Sequence, residues 1–306
     1  MSDHIAHLGI CDDTFRLAAR HPAVHPRFKQ LFDTQREAAH LGSVTRKADQ
    51  WTVQVVGWAA DQHALPPDDR DPRLDEKLAF TLGSLTHRSA DRLTKPITNC
   101  WRGTPDAGPT GGDANESKIM QDLFVFREVY AGGSNDEGAA LFSPAVLHLP
   151  DTDAAAGTEL VFRSLLRRAL IAMHTINSDP AHVHDWLDAL FAGLQRFPKS
   201  LDQYTKLDRE WDPAKVKKYL TDKRFYGRDD PLIVLARTLQ HGGDATGDEI
   251  AAAQADTDRR HSRYARALAK ALDYLVAGSQ RFDGAIGDKD TAERFDIGVP
   301  ELSIQD

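Results

Sequence analysis

The apolar residues recur every three or four positions over most of the chain, which is the spacing of helices that bury one face. This spacing predicts long helices over residues 5–19, 73–94 and 247–280. It predicts further helices at 28–39, 51–59, 117–130, 160–173, 182–194, 213–221 and 231–240. The β-branched residues of 51–59 leave a strand open as an alternative for that segment. No series of alternating strands and no repeat of fixed period interrupts this pattern.

Proline, glycine and aspartate mark the breaks between these helices. A proline- and aspartate-rich run at 66–72 precedes the second long helix, and Pro96 is predicted to end it. The stretches 103–115 and 132–157 have the composition of loops. The prediction is an all-α protein with one multi-helix domain over 1–306 and an irregular insertion at 198–247.

Charge and cysteine content narrow the function classes. The chain has 306 residues with a net charge of −8, which argues against long nucleic acid and anionic membranes as partners. The net negative charge does not exclude a small phosphorylated substrate that is bound by a few nearby cationic side chains. Two cysteines cannot form a disulfide framework. The first residues lack the pattern of a signal peptide, and no apolar run is long enough for a membrane span. We therefore expect a cytoplasmic protein.

The segment at 83–91 carries the most informative chemistry. His87 and Asp91 are four residues apart, so they lie on the same face of the predicted helix. Small residues surround them, among them Gly83, which would let another helix or a ligand approach closely. Imidazole and carboxylate together are normal ligands of zinc, manganese or iron. The alternative is an ordinary His–Asp pair on a helix surface.

Three segments resemble one known family in the same order. Leu-Gly-Ser-Leu-Thr-His-Arg-Ser-Ala-Asp at 82–91, followed by Pro96, resembles the G-x-x-x-H-x-x-x-D…P signature of the zinc-dependent phospholipase C family. His7, in His-Leu-Gly-Ile, is similar to the early histidine ligand of that family. Asp49 ends a segment similar to its G-x-x-x-P-D element, although the proline is missing and the spacing is one residue longer.

This resemblance implies an all-helical fold, shared with the single-strand-specific zinc nucleases, that holds two or three Zn²⁺ ions. It implies a metal-dependent hydrolase of a phosphate ester or phosphodiester, with Asp91 bridging metals and Asp49 beside it. Arg88 and Arg92 would steady the phosphate oxygens. The downstream H-x-x-x-E element of the family is absent, and we take the nearest acidic and histidine residues as its replacements. The predicted metal ligands are His7, Asp49, His63, His87, Asp91, Asp122, Glu128 and His174.

Other interpretations remain open from the residues. Mn²⁺ or iron would suit the same ligands, and an iron enzyme of different chemistry or a non-catalytic helical interaction protein would suit the same scaffold. The His184-Asp185 doublet is typical of another class of metal-dependent phosphohydrolases, although one such doublet is close to chance among 13 histidines. Asp12 and Asp13 are interpreted first as surface charge near the start of a helix.

Overall fold

The computed structural model describes residues 4–44, 51–101, 112–131, 206–208, 210–300 and 302–305. Within these ranges every regular element is helical and no strand occurs, which confirms the all-α prediction. The helices are α1 (His4–Arg20), α2 (Pro26–Thr34), α3 (Arg36–Ser43), α4 (Thr52–Ala64), α5 (Leu74–Asn99), α6 (Gly112–Glu128), α7 (Pro213–Val216, continued by a π turn, Lys217–Thr221), α8 (Pro231–Gln240), α9 (Gly247–Asp256), α10 (Arg263–Phe282) and α11 (Asp288–Arg294).

Two long helices, α5 and α10, form the centre of the described structure. They pack against each other, and α5 also contacts α1, α3 and α4. Helix α1 lies between α5, α6, α8 and α10. Apolar residues occur on all sides of α1, so the helix is buried around its circumference rather than along one face. Any charged side chain on α1 therefore needs a partner inside the protein.

Helices α3 and α5 approach each other through glycine. A Cβ atom added to Gly83 would lie 1.9 Å from the carbonyl oxygen of Ala39, and one added to Gly42 would lie 1.9 Å from that of Phe80. Only glycine fits at these two positions because the obstructing atoms belong to the backbone. The close approach expected around Gly83 is thus made to a neighbouring helix, and it brings the end of α3 next to His87.

The predicted end of the long helix at Pro96 is wrong, because α5 continues to Asn99. Proline removes one hydrogen bond of the ladder and crowds the preceding turn. Pro96, Ile97 and Thr98 are nevertheless buried, and the Cys100 N–H donates to the Pro96 carbonyl oxygen at 3.1 Å. Burial of this last turn offsets the proline penalty.

Other boundaries differ in detail from the prediction. The segment 28–39 contains two helices, α2 and α3, separated at Gln35, and 247–280 is divided into α9 and α10. Ser262 caps α10 by accepting a hydrogen bond from the Ala265 N–H. The segment at 51–59 is helical, as the leading interpretation predicts. The helices predicted at 160–173 and 182–194, and the loop predicted at 132–157, lie outside the described residues.

The described part of 198–247 joins the main core. Helix α8 packs against α1 and α10, and its buried residues include Leu232 and Ile233. Phe225, just before it, is also fully buried. Among the helices that the structure describes, none combines the length and apolar character needed to cross a membrane.

Candidate metal centre

Three potential metal ligands converge between α1 and α5. His7 comes from α1, and His87 and Asp91 come from successive turns of α5. One ligand atom from each lies within 4.8 Å of the other two, and no other group of three His, Cys, Asp or Glu side chains meets this condition in the described part of the chain. The structure therefore brings three predicted residues together. The four-residue spacing in the sequence predicted the pairing of His87 with Asp91, and the family resemblance predicted His7.

The geometry places both imidazoles against one carboxylate. His7 Nε2 is 3.3 Å from Asp91 Oδ1, and His87 Nε2 is 3.7 Å from Asp91 Oδ2. The two rings stack with their centroids 4.6 Å apart and their planes 29° apart. Both Nε2 atoms thus face the same small volume beside Asp91.

A backbone carbonyl orients His87. Its Nδ1 atom is 2.9 Å from the carbonyl oxygen of Ser43, at the end of α3. A carbonyl oxygen only accepts hydrogen bonds, so Nδ1 is the donor and Nε2 is the ring nitrogen directed toward Asp91. Histidines that bind metals commonly donate their second ring nitrogen in this way. Because Ser43 contributes only its backbone, no side-chain pattern in the sequence indicates this role.

Asp91 is held in its ionised form. Burial alone would raise its pKa, but the electrostatic interaction with His87, the hydrogen bond with His7 and the charge of Lys95 more than offset that effect. The net result is a pKa well below the ordinary range of aspartate. The centre therefore presents an anionic oxygen ligand at neutral pH.

The centre opens to solvent on the side of Asp91. His7 and His87 are buried, whereas 29% of the Asp91 side chain is exposed. Lys95 lies on this side, with Nζ 3.8 Å from Asp91 Oδ2. Asp91 is therefore the member of the group with the largest solvent-exposed fraction.

Three predicted ligands within the described residues lie elsewhere, and this part of the prediction needs correction. His63 is on α4, where its ring packs 5.5 Å from that of Phe282. Burial, followed by the charge of Arg70, lowers the pKa of His63, as expected for an imidazole beside an aromatic ring and cations. Glu128 forms ion pairs with Arg228 and Arg237 at the end of α6.

Asp122 is not part of the group formed by His7, His87 and Asp91, and it contacts the start of α1. It is fully buried, and its Oδ1 atom accepts a hydrogen bond of 2.9 Å from the Ala6 N–H. Ala6 lies in the first turn of α1, where backbone N–H groups have no acceptor within the helix. A carboxylate there also interacts favourably with the helix dipole. Asp122 therefore caps, from α6, the helical turn that carries His7.

The arginines expected to bind phosphate face the C-terminal segment. Arg88 donates to the carbonyl oxygen of Phe295 at 2.6 Å and to that of Asp296. Arg92 lies 3.4 Å from the Asp296 carboxylate and 3.4 Å from the carbonyl oxygens of Val299 and Pro300. Their assignment as phosphate-binding groups is corrected, because both guanidinium groups attach the C-terminal segment to α5.

The interpretation of Asp12 and Asp13 as surface charge is also wrong. Both are buried, and Asp12 accepts hydrogen bonds from His40 at 2.6 Å and from the Tyr130 hydroxyl at 2.8 Å. Asp13 accepts one of 2.8 Å from the Tyr264 hydroxyl. The available signal was the apolar character of α1 on all sides, which requires partners for its acidic pair.

Asp49, His174 and the His184-Asp185 doublet lie outside the described residues. Comparison of the chain with family models, with curated proteins and with solved structures gave no match. The resemblance to the zinc-dependent phospholipase C family thus stays a prediction drawn from the motifs alone.

Proposed function

We propose that the protein is a metal-dependent hydrolase of a small phosphate ester or phosphodiester, with zinc bound by His7, His87 and Asp91. The observation that supports this proposal most is the convergence of three ligand atoms within 4.8 Å. Catalytic zinc sites characteristically use three protein ligands and leave a position for water, whereas structural sites are closed by four. Two histidines with one carboxylate belong to the first type.

The chain's own residues fit a divalent cation. The Ser43 carbonyl holds His87 so that its Nε2 atom faces the site, and Asp91 supplies an anionic oxygen. When bound, zinc would supply Lewis acidity and lower the pKa of water toward neutrality. A second or third zinc ion remains part of the proposal, with Asp49 and His174 as its expected ligands.

The same ligand set favours one alternative. Two histidines and one carboxylate also form the facial triad of non-haem iron enzymes. An oxidative function would therefore be the second candidate. Elemental analysis distinguishes the two, because iron bound in place of zinc after purification without chelators would favour the oxidative function.

Hydrolysis of bis-p-nitrophenyl phosphate and p-nitrophenyl phosphate, with added Zn²⁺ or Mn²⁺, tests the proposed function. We expect metal-dependent turnover by the wild type. Asp91→Ala should lower kcat/KM by at least about 100-fold, because even residues that only support metal ligands often contribute 10–100-fold. The measurement is release of p-nitrophenol at saturating metal.

Glu76→Gln is the matched control. Glu76 lies on the same helix as Asp91, and its exposed carboxylate forms an ion pair with Arg73. It should retain wild-type turnover. A metal-loaded wild type that hydrolyses neither ester would contradict the proposed function. Full activity of Asp91→Ala would contradict the assignment of the site.

A further inference from the structure

Lys95 lies beside an open side of the candidate metal centre. Its Nζ atom is 3.8 Å from Asp91 Oδ2, one helical turn further along α5. The exposed fractions of the Asp91 and Lys95 side chains are 29% and 32%, while both imidazoles are buried. Asp91 and Lys95 are therefore side chains of this region that a ligand in solvent can contact.

A fixed cation at this position affects what the centre binds. An ammonium group beside a divalent cation repels it, so Lys95 by itself weakens metal binding. An anion placed between the ammonium and the metal removes this repulsion, because it attracts both. With Lys95 next to the candidate ligands, binding of a metal ion is therefore favoured when an anion binds together with it.

We propose that Lys95 is the residue that binds the anionic phosphate group of the substrate at the metal centre. This inference rests on the proposed function and names the group that recognises its substrate. An ammonium on a flexible four-carbon stem can move from Asp91 to a phosphate oxygen without rearrangement of the helix. The hydrogen bonds that it then donates are charge-assisted.

The neighbouring cations on α5 do not fill this role. Arg88 and Arg92 direct their guanidinium groups to the C-terminal segment. In the described part of the chain, the lysine or arginine that forms an ion pair with Asp91 is Lys95. We therefore assign the phosphate-binding role predicted for Arg88 and Arg92 to Lys95, one helical turn beyond Asp91.

A purely structural role for Lys95 would have different consequences. An ion pair between residues four apart on a helix contributes little to stability when it is partly exposed. If Lys95 served only this purpose, its replacement would leave anion binding unchanged. The two roles are separated by measuring metal affinity and phosphate affinity on the same variants.

The test uses the full chain loaded with Co²⁺, whose visible absorption reports on its ligands, and inorganic phosphate as the probe. We expect phosphate to change the wild-type spectrum at saturable concentrations. Lys95→Gln should raise the Kd for phosphate about tenfold or more. The same variant should bind Co²⁺ as tightly as the wild type or more tightly, and Lys95→Arg should restore much of the phosphate affinity.

Lys77→Gln is the matched control, because Lys77 is on the same helix but pairs with Asp71 away from the centre. It should bind both ions like the wild type. Equal phosphate affinity in Lys95→Gln and the wild type would overturn the inference. So would a Co²⁺-loaded wild type that does not bind phosphate, although the metal centre would stand. Failure of the wild type to bind any metal would overturn the proposed function and this inference together.

Discussion

Replacing Asp12 by alanine is expected to lower the free energy of unfolding by about 3–5 kcal/mol, as typically follows loss of one partner from a buried ion pair. Asp12 is 3% exposed and accepts hydrogen bonds from His40, Arg36 and Tyr130. Its removal leaves three donors without their common acceptor at the centre of the fold. Urea denaturation at neutral pH, followed by circular dichroism at 222 nm, measures the change.

The same carboxylate predicts how stability depends on pH. Burial would raise the pKa of Asp12, but the charges of His40 and Arg36 more than offset it, so the pKa lies far below its ordinary value. The stabilisation is therefore complete above the pKa of the unfolded state, about 3.9, and is lost as pH falls below it. We expect the difference in stability between the wild type and Asp12→Ala to shrink in acid.

Two controls belong with this prediction. Asp12→Asn keeps the shape and one acceptor oxygen, so its loss of stability should be smaller than that of alanine. Glu76→Gln removes an exposed carboxylate and should change stability by less than about 1 kcal/mol. Equal stability of Asp12→Ala and the wild type would show that the buried network does not hold α1 in place.

Gly83→Ala is expected to destabilise the protein by about 2–3 kcal/mol and to weaken metal binding at the same time. The added Cβ atom would lie 1.9 Å from the Ala39 carbonyl oxygen, so α3 and α5 must separate by roughly 1 Å. That separation moves the Ser43 carbonyl away from His87 Nδ1. Alanine's better helix propensity, about 1 kcal/mol, offsets only part of the cost.

Gly278→Ala is the matched control for this prediction. Gly278 is also buried within a long helix, but its added Cβ atom would meet nothing closer than 3.4 Å, at Phe28. This variant should equal or slightly exceed wild-type stability and should bind zinc normally. Thermal unfolding and zinc titration of both variants make the comparison. If both glycine variants behave alike, the close contact between α3 and α5 does not position His87.

Local periodicity was sufficient to predict much of the fold and to place one pair of candidate ligands on the same helix face. The 3.6-residue period determines which residues share a helix face, so the pairing of His87 and Asp91 on α5 followed directly. His7 is 80 residues earlier than His87, and no periodic pattern links them. Only the order of motifs in a known family brought His7 into the prediction.

The two acidic residues of α6 lie outside the group of His7, His87 and Asp91 for the same physical reason. The surroundings of Asp122 and Glu128 depend on which helices meet α6, and tertiary packing of this kind is not encoded in local spacing. Asp122 meets the start of α1, and Glu128 meets the arginines of α8 and the segment before it. Each of these two carboxylates, one buried and one half-buried, has a hydrogen-bonding or ionic partner, because burying an unpaired carboxylate would cost free energy. The observed partners are a backbone amide for Asp122 and two arginines for Glu128.

We propose that His7, His87 and Asp91 bind a metal ion, and measurement of equilibrium zinc binding together with elemental analysis tests this most directly. Protein purified without chelators should bind zinc, and His7→Ala, His87→Ala and Asp91→Ala should each lose at least one equivalent or bind it about 100-fold more weakly. His63→Ala should keep the wild-type content, because His63 lies outside the cluster. Wild-type zinc content and affinity in all three variants would show that these residues do not bind the metal.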